Sequence, residues 1–279
     1  MKVAIVGLGL IGGSLARDLA AAGHEVVAYD RDDRALRAAR RARVIVGVLP
    51  ATLDGVQRCD ACVIAVPVDA TVTVLRRAAT ALKQVPLVTD VGSTKGSIMR
   101  AARSAGLAHC FVGAHPMAGD HRSGWRASRA GLFAGQRVYL TFGGRTNTAT
   151  LRRAQRFWRT VGGQTTRIDA RAHDRLVAAA SHLPQVTAMA LAATLADNGI
   201  QRSALGRGGR DATRLAASSS AVWTPILTDN RHNVVPAIRA LARALEAAAR
   251  AIDRDDKRAL GMLFRRSEAW VLSTTGRPL

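Results

Sequence analysis

The chain has 279 residues, 48% of them apolar, with 41 Lys plus Arg against 20 Asp plus Glu and a formal net charge of +21. At roughly 150 residues per domain this length predicts two domains, and the apolar fraction excludes a disordered chain. The charge invites a nucleic-acid reading, but the arginines are scattered, aromatics are only 4%, and no helix-turn-helix, zinc-finger or RNA-recognition pattern is present, so a dedicated nucleic-acid partner is not expected.

The first strand candidate is VAIVG (3–7), followed by a stretch of helical spacing, IGGSLARDLAAAG (11–23), and a second strand, EVVAYD (25–30). No apolar run approaches the ~20 residues that span a bilayer, and Met1-Lys2 leads into a strand rather than a cleavable leader, so the expectation is a cytoplasmic protein with no membrane span. ACVIAVP (61–67), PLVTDVGS (86–93), HCFVGAHP (109–116) and RVYLTF (137–142) are further strand candidates, separated by Ala- and Arg-rich helical stretches. Repeated βα units predict a mostly parallel sheet with helices on both faces.

Three cysteines, Cys59, Cys62 and Cys110, cannot all pair with one another, which fits a reducing compartment. Cys59 and Cys62 form a CxxC, readable as redox chemistry or half a zinc site. With no second CxxC and an apolar strand directly after it, two small buried thiols are the better reading, and no metal is expected.

Beyond about Ile168 the β-branched alternation gives way to Ala, Leu and Arg at helical spacing, punctuated by Leu183-Pro184, a GRGGR loop (206–210) and Pro225. This predicts an α/β domain over 1–168 and a helical domain over 169–279. Apolar positions such as Val235, Ile238, Leu241, Ala242 and Leu245 fit a homodimer built through helices, or packing against the first domain.

Gly7-Leu8-Gly9-Leu10-Ile11-Gly12 fits GxGxxG, placed after a strand and at a helix start. Gly7 permits the tight turn, Gly9 lets the backbone approach a pyrophosphate and Gly12 allows close helix–strand packing. Asp30 closes the second strand, where a carboxylate accepts from a ribose 2′-hydroxyl and repels a 2′-phosphate. That favours NAD over NADP, although Arg31 directly after it could serve the phosphate. Val66 and Pro67, the last residues of the third strand run, complete the candidate cofactor residues.

Three more segments, TDVGSTKG (89–96), GAHPMAGDHRSGW (113–125) and SHLPQ (181–185), are joined by RDATRLAASSSAVW (210–223). Together with GLGLIGGSLA they resemble the prephenate/arogenate dehydrogenase family of tyrosine biosynthesis, over nearly the whole chain. The resemblance implies a Rossmann-type dinucleotide-binding domain over 1–168 followed by an all-α substrate and dimerisation domain over 169–279. It also implies oxidative decarboxylation of a cyclohexadienol: hydride goes to the nicotinamide, a hydroxyl proton goes to a base, and CO2 departs as the ring becomes aromatic. Prephenate would give 4-hydroxyphenylpyruvate, and arogenate would give tyrosine.

By that resemblance His115 is the catalytic histidine, and Ser93 hydrogen-bonds it and positions substrate and nicotinamide. Arg214 would hold a substrate carboxylate, a task for which a planar fork suits better than an ammonium. His182 would orient substrate from the wall of the site. Other readings stay open: Ser93 as an N-cap of a helix starting near Thr94, His182 as a packed histidine ahead of Pro184, Arg214 as one surface arginine among many. Asp120 and His121 depart from the family pattern. Asp120 could pair with the amino group of arogenate or cap a helix, and His121 could favour a second carboxylate, so the reading leans to prephenate. A β-hydroxyacid or 6-phosphogluconate type of dehydrogenase is the rival, but it needs a lysine in the second domain, where only Lys257 is offered without a supporting motif.

Overall fold

The computed structural model describes residues 1–119, 122–144 and 146–273. Its strands are β1 Lys2–Val6, β2 Glu25–Tyr29, β3 Gly47–Val48, β4 Ala61–Ile64, β5 Val88–Asp90, β6 Phe111–Pro116, β7 Arg137–Thr141 and β8 Gln164–Arg167. Between them run α1 Leu10–Ala21, α2 Asp33–Arg41, α3 Val68–Arg77, α4 Ala79–Leu82, α5 Gly96–Ser104 and α6 Thr148–Thr160. The strands form one sheet in the order β3-β2-β1-β4-β5-β6-β7-β8, parallel throughout except where β6 meets β7.

Period-two alternation decides the two faces of this sheet. Val3 and Ile5 of β1 point into one apolar cluster with Leu15 and Leu19 of α1, while Ala4 and Val6 join Cys62, Ile64 and Val88 in the other. Phe133, Phe157 and Trp158 fill the far end of the first cluster, their rings meeting edge to face at 5.8 and 5.5 Å. The sheet includes two strands absent from the sequence reading. β3 has only two residues, and β8 (QTTR) is a largely exposed edge strand with no apolar run.

After β8 the described chain is helical: α7 Ala170–Val177, α8 Leu183–Asp197, α9 Arg207–Ala212, α10 Ser220–Asp229, α11 Arg231–Asp253 and α12 Lys257–Leu272. The fold is thus the expected α/β nucleotide-binding sheet followed by an all-α portion. Leu183-Pro184 does not break the chain as its sequence suggests. Residues Ala178–His182 form a π-helical turn linking α7 and α8 into one helix, and this wider turn accommodates a proline that lacks an N–H and crowds the preceding turn. GRGGR likewise lies in the short α9 rather than a loop, and Pro225 lies inside α10.

Compactness divides the chain into residues 1–231 and 232–279, so α7 to α10 belong to the same unit as the sheet. The helix from Ala170 to Asp197 is, by length and composition alone, long and apolar enough to cross a membrane. Its His173, Asp174, His182 and Gln185 are nevertheless buried and spend their hydrogen bonds inside the first unit.

Candidate active site

Strand order reverses between β1 and β4, and at such a switch point the loops leaving the carboxyl ends diverge and open a crevice. The loop after β1 carries Gly7, Leu8 and Gly9, and α1 begins at Leu10. Gly7 has φ +99°, and a Cβ there would stand 2.4 Å from the carbonyl oxygen of Ala65 in the loop after β4. A Cβ on Gly12 would stand 1.9 Å from the Gly7 carbonyl oxygen, whereas one on Gly9 would meet nothing within 4 Å. Two glycines therefore pack the turn against its neighbours, and the third faces open space at the helix N-terminus. Asp30, just past β2, accepts from the backbone N–H of Leu8 at 2.5 Å and of Asp32 at 2.8 Å, which ties it to the glycine loop. Leu10 and Ile11 start α1, Val66 and the exposed Pro67 lead into α3, and Arg31 is exposed beside Asp30.

The second cluster lies farther along the same carboxyl edge. β5 pairs with β6 only as far as Thr89 opposite Val112, so Ala114 lacks a ladder partner on that side. Side chains replace the ladder: the Asp90 carboxylate accepts from Ala114 N–H at 3.1 Å, and the Lys95 ammonium donates to the Ala114 carbonyl at 2.7 Å and to Asp90. Both members of this ion pair are fully buried. Burial lowers the Lys95 pKa, and the attraction of Asp90, Asp174 and Asp229 opposes that shift. The pair clamps the backbone immediately before His115.

His115 Nδ1 lies 2.9 Å from Nε2 of His173, and His173 Nδ1 lies 2.8 Å from Oδ1 of Asp174. Asp174 also caps α5 from a distance, accepting from Lys95 N–H and Gly96 N–H at 2.8 Å each. Burial alone would raise the Asp174 pKa, but the hydrogen bonds from His173 and these two amides hold it below the usual carboxylate value. Burial depresses both histidines: His115 falls well below the ordinary imidazole value, helped by His173, Lys95 and His182, and His173 falls despite the Asp174 bond. Near neutral pH the order is therefore an ionised carboxylate and two neutral imidazoles. Asp174 can only accept, so His173 carries its proton on Nδ1 and accepts on Nε2 from His115 Nδ1–H. His115 Nε2 is left with the lone pair.

His182 has the opposite tautomer. The Asn230 amide donates to the Asp174 carbonyl at 2.8 Å, which fixes its orientation, and lies 3.2 Å from His182 Nδ1. His182 Nδ1 is thus an acceptor and its Nε2 bears the proton. Burial holds its pKa down at about 4, and Trp223 packs edge-on against the ring at 5.9 Å.

The structure brings His115 and His182 into one buried network but departs from expectation elsewhere. No hydrogen bond joins the half-buried Ser93 to His115 among the described residues, and His173 takes the partner role foreseen for it. Ser93 is not an N-cap either: α5 starts only at Gly96, and Asp174 supplies its cap. Arg214 opens a short 3₁₀ turn held to α8 by the bond from Gln185 to the Leu215 carbonyl, and its side chain is exposed. Asp120 and His121 lie outside the described residues. The CxxC thiols are buried and free; burial raises the pKa of both and pushes Cys110 up to about 11, so none is a ready nucleophile. Sequence reasoning missed Lys95, His173, Asp174 and Asn230. Lys95 stood inside a quoted motif, and an adjacent His-Asp just after the last strand was the available signal for the dyad.

A glycine cradle at the switch point of a parallel sheet, with a neutral buried histidine at the same edge and a helical half to follow, defines a nucleotide-dependent oxidoreductase. Residues 15–167 match the model of the prephenate dehydrogenase nucleotide-binding domain, and residues 169–266 match that of the prephenate dehydrogenase dimerisation domain. Prephenate dehydrogenase of Lactococcus lactis is 30% identical over 94% of this chain and 74% of the relative. Cyclohexadienyl dehydrogenase of Zymomonas mobilis is 31% identical over 85% of this chain and 83% of the relative. The crystal structure of prephenate dehydrogenase from Aquifex aeolicus with hydroxyphenyl propionate and NAD+ superposes with a TM-score of 0.86 at 28% identity, covering 98% of each chain. The chain belongs to the prephenate dehydrogenase family.

Proposed function

We propose that this chain oxidatively decarboxylates prephenate to 4-hydroxyphenylpyruvate with NAD, in tyrosine biosynthesis. The observation that carries the reading is the match of both halves of the chain to prephenate dehydrogenase domains. NAD fits the residues present: the open space at Gly9 and the free amides of the first turn of α1 suit a pyrophosphate, and Asp30 suits ribose hydroxyls and opposes a 2′-phosphate. When bound, NAD supplies the hydride acceptor.

In this reading His115 Nε2 takes the proton of the ring hydroxyl. A neutral imidazole suffices as base because loss of CO2 leaves an aromatic ring. His182 Nε2–H and the Ser93 hydroxyl are donors that orient the substrate, and the exposed Arg214 guanidinium grips a carboxylate in a bidentate pair. Asp120 and His121 select among substrate side chains. Residues 1–168 serve the nucleotide, and residues 169–279 serve substrate and pairing of two copies. Exposed Leu245, Ile252, Met262 and Phe264 in the helices support a homodimer. A cytoplasmic location suits three free thiols.

The test is the appearance of NADH absorbance on mixing protein, NAD and prephenate, repeated with arogenate. A higher kcat/KM for prephenate is expected. A preference for arogenate would replace this substrate with the alternative that the cyclohexadienyl relative keeps in play, and no NADH with either would overturn the reading. His115→Asn should bind NAD normally and lose turnover.

A further inference from the structure

We infer that His173 and Asp174 are positioning residues that hold His115 in its Nδ1–H tautomer and share the charge it gains on accepting a proton. The inference rests on the reading of His115 as the base. In the chain Asp174 Oδ1, His173 Nδ1, His173 Nε2, His115 Nδ1, the two contacts measure 2.8 and 2.9 Å and every member is buried. A lone imidazole can carry its proton on either nitrogen, and only the form with a bare Nε2 is a base at that atom. The ionised carboxylate removes the choice, because each link must donate toward it.

The same chain acts after proton transfer. The O–H bond of the substrate breaks, the proton is bonded to His115 Nε2, and the new positive charge spreads through Nδ1–H to His173, which faces Asp174. The surroundings make this counter-charge valuable. His115 also faces Lys95 from the segment after β5, His182 from the π turn, and Tyr139 directly across the β6–β7 pairing. His173 faces Tyr139, whose ring lies 5.7 Å away, Lys95 and Asp90. Asp90 is already committed to Lys95 and to the amides of Gly92 and Ala114. Asp174 is the carboxylate in direct contact with the imidazole pair. Its two remaining acceptor bonds, to the amides of Lys95 and Gly96, fix it on the N-terminus of α5 and set the height of the relay.

Asp174→Asn is the direct test. His173 and the Lys95 amide share Oδ1 while the Gly96 amide bonds Oδ2, so asparagine loses one amide bond either way. With its NH2 toward Gly96 it keeps the tautomers but removes the counter-charge, and with its NH2 toward His173 it also reverses each tautomer and puts a proton on His115 Nε2. The expected result is a fall in kcat of about a hundredfold or more, against the ~10⁴ seen when a triad aspartate becomes asparagine. The acid limb of kcat/KM should move to lower pH, with KM and the NAD dissociation constant changed less than threefold. Histidine ¹⁵N shifts of the NAD-bound protein read the tautomer without turnover: His115 should be Nδ1–H in the wild type, and an Nε2–H signal in the variant reports the orientation with NH2 toward His173. His173→Asn leaves the α5 cap intact and serves if Asp174→Asn does not fold; it too should shift the acid limb. An unmoved acid limb, or a wild-type His115 found as Nε2–H, overturns the inference. Full turnover by His115→Asn overturns instead the reading of His115 as the base.

Discussion

The glycine cradle gives a paired test in which one methyl group separates folding from binding. In Gly12→Ala the new Cβ would lie 1.9 Å from the Gly7 carbonyl oxygen and 2.9 Å from the Ala65 Cβ. Gly7 is itself held by its N–H bond to the Tyr29 carbonyl at 2.7 Å, so the turn cannot retreat without breaking a strand-end contact. Overpacking costs about 1–3 kcal/mol where neighbours can shift, and the upper end applies against a fixed carbonyl. At roughly 2–4 °C per kcal/mol for a unit of about 200 residues, Tm should fall by about 6–12 °C. In Gly9→Ala the methyl meets nothing within 4 Å, and the backbone at φ −69°, ψ −161° suits alanine, so Tm should stay within about 2 °C. The same methyl occupies the space a pyrophosphate needs, and a comparable clash of about 1–3 kcal/mol weakens NAD roughly 5- to 150-fold. Scanning calorimetry and titration of tryptophan fluorescence with NAD measure both quantities. Gly9→Ala with wild-type NAD affinity, or Gly12→Ala with wild-type Tm, would refute the assignment of these two positions.

His182 makes stability depend on pH in a direction the structure fixes. Its pKa is about 4 in the folded protein, chiefly through burial, against 6.5 unfolded, so the folded form favours the neutral ring. The stability from this group is present above pH 6.5 and is lost as pH falls toward 4, by at most ~3 kcal/mol at 1.36 kcal/mol per unit. Urea unfolding at pH 7 and pH 4.5 should show a smaller loss in His182→Gln than in wild type, and equal losses would refute the argument. Lys95→Met strands the Asp90 carboxylate in a buried site and frees the Ala114 carbonyl, which should cost about 3–5 kcal/mol in the same assay. A cost below about 1 kcal/mol would show that the pair does not clamp the strand before His115.

The strand runs and the GxGxxG cradle were legible because each rests on local chemistry. Short continuous apolar runs, buried on both faces, mark β1, β2, β4 and β6, and only glycine suits Gly7 and Gly12. The π turn was not legible: Leu183-Pro184 reads as a stop in any local scheme, and only packing of His182 and Gln185 keeps the helix running through it. The helix that Ser93 was expected to cap begins two residues later than expected, at Gly96, because its cap arrives from Asp174, 78 residues along the chain from Gly96, and no local pattern encodes that contact.

Lys95 is the instructive miss. Only four of the 41 basic residues are lysines, so a lysine inside a motif is the exception in a chain where arginine is the default. The structure supplies the reason. A fully buried cation must reach the Asp90 carboxylate and a single carbonyl at once, which a compact ammonium does and a broad planar fork does not. The arginines make the chain basic, and Arg214 is the one proposed to touch substrate. The electrostatics we propose to govern the chemistry lie instead in a neutral pair of imidazoles and one carboxylate, groups to which the net charge of +21 is blind. At that scale tautomers matter more than charge: the same side chain presents a bare Nε2 at His115 and an Nε2–H at His182 because one faces a carboxylate through His173 and the other faces an amide N–H.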